Sequence, residues 1–417
     1  MPIFTLDEAV VSPLVRAVTT PELPDDLVAD RFARASWSGI AEPGDRVAGE
    51  LVAALGAATA LTALVEHWPS TRTSDAVTDA GVELSIESID KALERWMPRL
   101  ASATALTALG EAARYDARLI VPGDELWPVG FDDLGPHAPL AVWLRGSAEA
   151  LESLPSSIAL VGARAATGYG EHVTMEASAG LVDRGYTIVS GAAYGIDGMA
   201  HRAALASKGL TVAFLAGGVD RFYPSGHDSL LGRIVETGAV MSELPCGSQP
   251  TKWRFLQRNR LIAASSLATI VLEAGWRSGS LNTAGHAAAL GRPLGAVPGP
   301  VTSAASAGCH RLIREFDAVC VTNPDEMAEL SPLGNGGLGG GSLADTERPS
   351  GAPGTLGRST DEVRVIDALS ARSPRPVPDV ARRSGLSIAT VQTVLGTLDL
   401  EGTVSHGERG WTFTVPR

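Results

Sequence analysis

Along residues 157–330 the hydrophobic pattern is one of short, uninterrupted apolar runs separated by helix-length stretches: SIALVGA, YTIVSGA, TVAFLAG, AVMSEL, LATIVLEA, PLGAVPG and AVCVTN. Strands that alternate with helices are joined by crossovers and pair in parallel. Parallel strands are buried on both faces, so they read as continuous apolar runs and not as an in–out alternation. The expectation is an α/β domain built on a doubly wound, mostly parallel sheet. Residues that break the pattern collect at the carboxyl ends of these runs: Gly162 and Arg164, Ser190 and Gly191, Gly217 and Gly218, Glu243, Glu273, Pro298 and Gly299. In open α/β sheets that edge holds the ligand.

The rest of the chain follows other periods. Residues 27–115 are rich in Ala and Leu at helical spacing, as in RVAGELVAALG, so 1–115 is expected to be a helical domain. Residues 116–156 carry short extended pieces broken by Pro and Gly and are expected to act as a connector. At 331–359 Gly, Ser and Pro displace all periodicity, which predicts a flexible linker. Residues 361–372, 378–384 and 387–400 then predict three helices, followed by strands near 403–405 and 411–415. Together they form a winged helix over 360–417, with Ser387 capping the third helix.

Composition changes this picture in two places. The net charge of −13 argues against a nucleic-acid binder until it is divided along the chain. Residues 1–156 hold 11 Lys and Arg against 24 Asp and Glu, 157–330 hold 14 against 14, and 331–417 hold 9 against 9. The acidity lies in the N-terminal third, leaving room for local positive patches in the α/β domain. The three cysteines, Cys246, Cys309 and Cys320, have no C-x-x-C spacing, so neither a disulfide framework nor a zinc site is expected. There is no basic segment leading into an apolar run at the N-terminus and no stretch of about 18 apolar residues, which predicts a cytoplasmic protein without a membrane span.

Three stretches carry candidate chemistry. VGARAATGYG follows the first strand; Ala163 replaces the second glycine of a dinucleotide fingerprint, and Arg164 projects from a tight turn where a guanidinium can grip a phosphate. SGAAYGIDGMAH follows the second strand, and there Asp197 is read as a helix cap in preference to an acid partner of His201. The third stretch is KWRFLQRNR at 252–260. No acidic residue occurs from 244 to 272, while Lys252, Arg254, Arg258 and Arg260 interleave with Trp253 and Phe255. Cations beside rings suit a single nucleic-acid strand, whose phosphates they neutralise and whose bases they stack. EAGWRSGSLNTA then offers hydroxyls and N–H groups at a helix start, without the Lys of a P-loop. Nothing resembles a nucleophile elbow, and Cys309 beside His310 is read as coincidence.

In combination VGARAATGYG, SGAAYGIDGMAH, LAGGVDRFYP, SELPCG, FLQRNRLIAA, EAGWRSGSLNTAGHAAALGR, VPG and GCHRLIRE resemble the DNA-processing protein A (DprA, Smf) family over about residues 157–322. The resemblance implies a Rossmann-like core, an N-terminal helical domain of SAM or helix-hairpin-helix type and a C-terminal winged helix. It implies a protein that binds single-stranded DNA without catalysis or cofactor. The protein would dimerise, protect incoming DNA and help load the RecA recombinase in natural transformation. The binding residues it implies are Gly162, Arg164, Ser190, Gly191, Lys252, Phe255, Arg258, Asn259, Gly279 and Ser280. Two features depart from the family. Tyr194 stands where many members have Arg, and the N-terminal GIAEPGDRVAGELVAALG lacks a G-x-G hairpin. The third winged-helix helix and its turn also lack Lys and Arg but carry Asp399 and Glu401, which disfavours duplex reading. The alternative is a nucleotide enzyme that hydrolyses a glycosidic bond at the same edge, disfavoured because EAGWRSGSLNTA lacks the glutamate of the P-G-G-x-G-T-x-x-E loop.

Overall fold

The computed structural model describes residues 7–333, 358–407 and 409–414. Most of the linker expected at 331–359 lies outside them. The seven apolar runs form β3 (Ser157–Gly162), β4 (Thr187–Ser190), β5 (Thr211–Phe214), β6 (Ala239–Ser242), β7 (Ala268–Glu273), β8 (Leu294–Ala296) and β9 (Val319–Cys320), all paired in parallel. Alternate residues of each strand feed opposite faces. Ile158 and Leu160 pack with Leu181 and Ile196 on one side, and Ala159 and Val161 pack with Phe131 and Ile262 on the other.

The sheet starts earlier than the pattern suggested. Residues 116–156, expected as a connector, supply β1 (Arg118–Ile120) and β2 (Val142–Gly146), which extend the sheet antiparallel from β6. Most of their Pro and Gly residues fall between the two strands, and Val142, Trp143 and Leu144 are fully buried. The order among the described strands is β1-β2-β6-β5-β4-β3-β7-β8-β9. Successive strands from β3 run outward to β6, and the chain then returns to place β7 on the other side of β3. That reversal is the topological switch point, and it opens a crevice between the carboxyl ends of β3 and β7.

The N-terminal helices do not stand apart. Phe32 and Trp37 belong to the same buried cluster as Trp143, Ala213 and Val240 of the sheet, and Trp143 Nε1 donates to Ser38 Oγ at 3.2 Å. Inside this layer Trp37 meets Trp96 edge to face at 5.1 Å. No single helix among the described residues is long and apolar enough to cross a membrane.

The C-terminal segment forms helices Thr360–Ala368, Val377–Ser384 and Ile388–Leu400 and the hairpin β10 (Val404–Gly407) and β11 (Gly410–Phe413), a winged helix. Ser387 caps its third helix, accepting from Thr390 N at 3.1 Å. The first helix stops at Ala368, short of the expected 372. Beyond it Ser370 Oγ accepts from Arg372 N and Ser373 N, both at 3.2 Å, and this local turn competes with the helix.

Candidate nucleic-acid interface

The crevice is organised around Glu273, which ends β7 only 2% exposed. Its carboxylate accepts from Thr167 N at 2.8 Å and Thr167 Oγ1 at 2.6 Å, and its carbonyl accepts from Ala163 N at 2.7 Å. The turn after β3 is thereby pinned to the end of β7, and Arg164 is pushed outward. Gly162 has to be glycine, since a Cβ there would lie 2.6 Å from Ile196 and 2.8 Å from the Glu273 carbonyl.

Beneath this turn lie two buried charged groups. Asp197 is 6% exposed; burial raises its carboxyl, opposed by Arg258 and by N–H groups of Ala193, Gly162 and Gly191. Arg258, also 6% exposed, donates to Gly191 O at 2.7 Å, to Phe214 O and to Asn259 Oδ1 at 3.2 Å. Burial pushes its guanidinium down to about 10, against the pull of Asp197, with Arg164 adding to the fall. A Cβ on Gly191 would lie 2.3 Å from that guanidinium. The Asp197–His201 pairing, disfavoured on sequence, does not organise the site. His201 Nδ1 instead faces Thr211 Oγ1 at 2.7 Å, and burial, with His227, Arg258 and Arg202, lowers its imidazole to about 3.

The helix Lys252–Ser265 delivers the basic stretch. Thr251 caps it, accepting from Arg254 N at 3.2 Å. Phe255 lies half-buried one turn in, with Arg164 5.1 Å and Arg258 5.8 Å from its ring and Tyr223 tilted against it at 5.5 Å. Arg164 is exposed and makes no hydrogen bond or ion pair among the described residues. Lys252 is exposed as well, but Asp367 of the winged helix accepts from its backbone N–H at 2.8 Å and lies 3.7 Å from Nζ.

The ten residues anticipated from sequence thus divide in two. Gly162, Arg164, Lys252, Phe255 and Gly279 reach the surface of the crevice. Ser190, Gly191, Arg258, Asn259 and Ser280 are buried. Ser190 Oγ donates to Leu160 O at 2.6 Å, Asn259 Nδ2 to Asn282 Oδ1 at 3.2 Å, and Ser280 Oγ lies 2.7 Å from Ser278 Oγ. The side chains of Ser190, Arg258, Asn259 and Ser280 already have partners within the fold, and the five buried residues underlie the exposed set. Sequence reasoning missed Tyr223, half-exposed against Phe255. Its signal was the FYP that follows the Gly217-Gly218 strand end. Tyr194, 49% exposed and edge-on to His227 at 4.9 Å, adds a second open ring.

Cys309 and His310 diverge as read from sequence. The Cys309 thiol faces Val271 O at 3.6 Å, His310 Nε2 faces Gly299 O at 3.0 Å, and burial pushes the thiol up to about 12. Among the described residues no group of three or more His, Cys, Asp and Glu could hold a metal ion.

The fold and crevice define a class: a doubly wound α/β protein whose switch-point edge presents a free arginine and open rings, joined to a winged helix. The DNA recombination-mediator protein A model matches residues 118–332, and the DprA winged helix domain matches 348–407. A DNA processing protein DprA of Mycobacterium tuberculosis is 47% identical over 309 residues, covering 72% of this chain and 77% of that protein. Protein Smf of Escherichia coli is 38% identical over 249 residues, 58% of this chain and 66% of that protein. The X-ray structure of DNA processing protein A from Streptococcus pneumoniae aligns with a TM-score of 0.55 at 27% identity, covering 72% of this chain and 97% of that one. The chain belongs to the DNA recombination-mediator protein A family, whose members process DNA for recombination.

Proposed function

We propose that this chain binds single-stranded DNA along the crevice outside β3 and β7, without chemistry on it. The observation that carries the reading is the grouping at Phe255: a half-buried ring with a free guanidinium at 5.1 Å and the open Tyr223 ring at 5.5 Å. Rings stack unpaired bases whatever their identity, and Arg164 with Lys252 meets the phosphates. The contrary reading, a nucleotide hydrolase, needs an available carboxylate. Glu273 is held by Thr167, and Asp197 is buried against Arg258.

On this reading the chain is a cytoplasmic recombination mediator that protects a single strand and, as a homodimer, helps load RecA. Family membership supports these roles. The test is a titration of the full chain with single-stranded and duplex DNA at several salt concentrations. Arg164→Ala is expected to weaken single-strand binding and flatten its salt dependence. Equal affinity for duplex, or unchanged affinity in the variant, overturns the assignment. Release of free base from nucleoside monophosphates would restore the enzyme.

A further inference from the structure

A cleft of about 610 Å³ separates the N-terminal helices, the loop at 245–251 and the winged helix. Its wall carries Arg99, Arg254, Arg375, Arg382 and Arg383, with Asp367 at one edge. The five arginines are not equivalent. Arg99 and Arg254 form the inner wall with side chains 5% and 11% exposed, and both are spent on the buried Glu42. Arg99 also donates to Arg382 O at 2.9 Å, and Arg364 stacks on Trp253 at 5.0 Å. These interactions hold the winged helix in place.

The outer wall carries the surplus. Arg382 and Arg383, 49% and 36% exposed, share the single carboxylate of Asp379. Arg375 stands beside them, its side chain donating to Ala368 O at 2.7 Å. Burial lowers its guanidinium, and its two arginine neighbours lower it further than Asp379 restores it. Three cations sharing the one carboxylate of Asp379 at the mouth of the cleft, whose other carboxylate Asp367 faces Lys252, make a site for an anion. The winged helix therefore carries its basic residues away from its third helix, where a duplex reader needs them, and turns them toward the rest of the chain.

The cleft also continues the crevice. The loop that lines it ends in Thr251, the cap of the helix bearing Lys252 and Phe255, and Ser248 O in that loop accepts from Gly218 N beyond β5 at 3.0 Å. We propose that this cleft is a second binding segment for the sugar–phosphate backbone of the same single strand, received by Arg375, Arg382 and Arg383 after the strand leaves Phe255. The proposal rests on the single-strand function proposed for the crevice and adds to it a path across the winged helix.

The experiment uses the full chain and compares a short oligothymidine, enough for the crevice alone, with one long enough to reach the cleft. Arg382→Gln combined with Arg383→Gln is expected to leave the short oligonucleotide's affinity unchanged. It should weaken the long one about tenfold and lower its salt slope by about 0.7 for each phosphate no longer neutralised. Lys at both positions should restore most of the affinity, since an ammonium still meets a phosphate. Photo-crosslinking with halogenated uracil along the long oligonucleotide should label the segment 375–383. Equal affinity of the Gln variant and the parent for the long oligonucleotide, or crosslinks confined to the crevice, overturns the proposal. A shift in thermal midpoint caused by a free nucleoside triphosphate and abolished in the Gln variant, with strand affinity unchanged, also overturns it in favour of a soluble nucleotide. Failure of the single-strand function itself would look different: neither oligonucleotide would respond to Arg164→Ala.

Discussion

Two arginines flank the same ring, and they do opposite things. Arg164 lies 5.1 Å and Arg258 5.8 Å from Phe255; one is exposed and unbonded, the other 6% exposed and bound to two strand-end carbonyls. Residue type alone predicts one role for both. What separates them is height above the sheet: the rim is open to solvent, while the floor bonds the ends of β4 and β5 together. The largest effect is therefore expected on the floor. Arg258→Ala removes its charged hydrogen bonds to Gly191 O and Phe214 O, each worth about 1.5–3 kcal/mol, together with the charge that draws the Asp197 carboxyl down, and urea unfolding should show that loss. If stability is unchanged, the floor is no different from the rim.

On the rim the largest effect is expected at Phe255. Phe255→Ala removes a stacking platform worth about 1–3 kcal/mol per base, so single-strand affinity should fall about five- to 150-fold with the salt slope unaltered. A changed slope would mean that the ring acts mainly by holding Arg164 in place.

The floor should also show itself in pH. His201 is buried neutral, its imidazole lowered from 6.5 to about 3, so below pH 6.5 the unfolded chain binds a proton that the folded chain refuses. Its contribution to stability is complete above pH 6.5 and is lost as pH falls toward 3, by about 1.4 kcal/mol per unit. The thermal midpoint should drop on acidification from pH 7 to 5, and His201→Gln should flatten that dependence. Arg164→Ala should leave the pH profile of stability as it is, while weakening single-strand binding and lowering its salt slope by about 0.7.

The same contrast explains what could be read along the chain. Seven apolar runs announced the parallel strands, because burial on both faces leaves a continuous signature, and the acid-free stretch announced the basic helix. β1 and β2 were obscured because short antiparallel strands at the margin of the sheet, set among Pro and Gly, carry too few residues to show a period. The split among the ten site residues was hidden as well. Whether Ser190 or Asn259 faces solvent depends on partners such as Leu160 and Asn282, which are distant in sequence or on another helix. Tyr223 was overlooked because its importance comes from meeting Phe255, and that pairing exists only once β5 and the Lys252–Ser265 helix are side by side.

The smallest effect tests the rim where the winged helix covers it. Asp367 accepts from Lys252 N at 2.8 Å and lies 3.7 Å from Nζ, so a carboxylate now occupies the helix start and ammonium that would otherwise attract a phosphate. A charge at a helix N-terminus is worth about 0.3–1 kcal/mol. Asp367→Asn keeps an acceptor for the N–H and removes the charge, so single-strand affinity should rise about two- to fivefold and the salt slope should steepen, while the chain loses a comparable fraction of a kcal/mol in stability. Lys252→Ala should cancel the gain in the double variant. If Asp367→Asn raises affinity equally with or without Lys252, the charge acts on the crevice at large and Lys252 is not part of the rim.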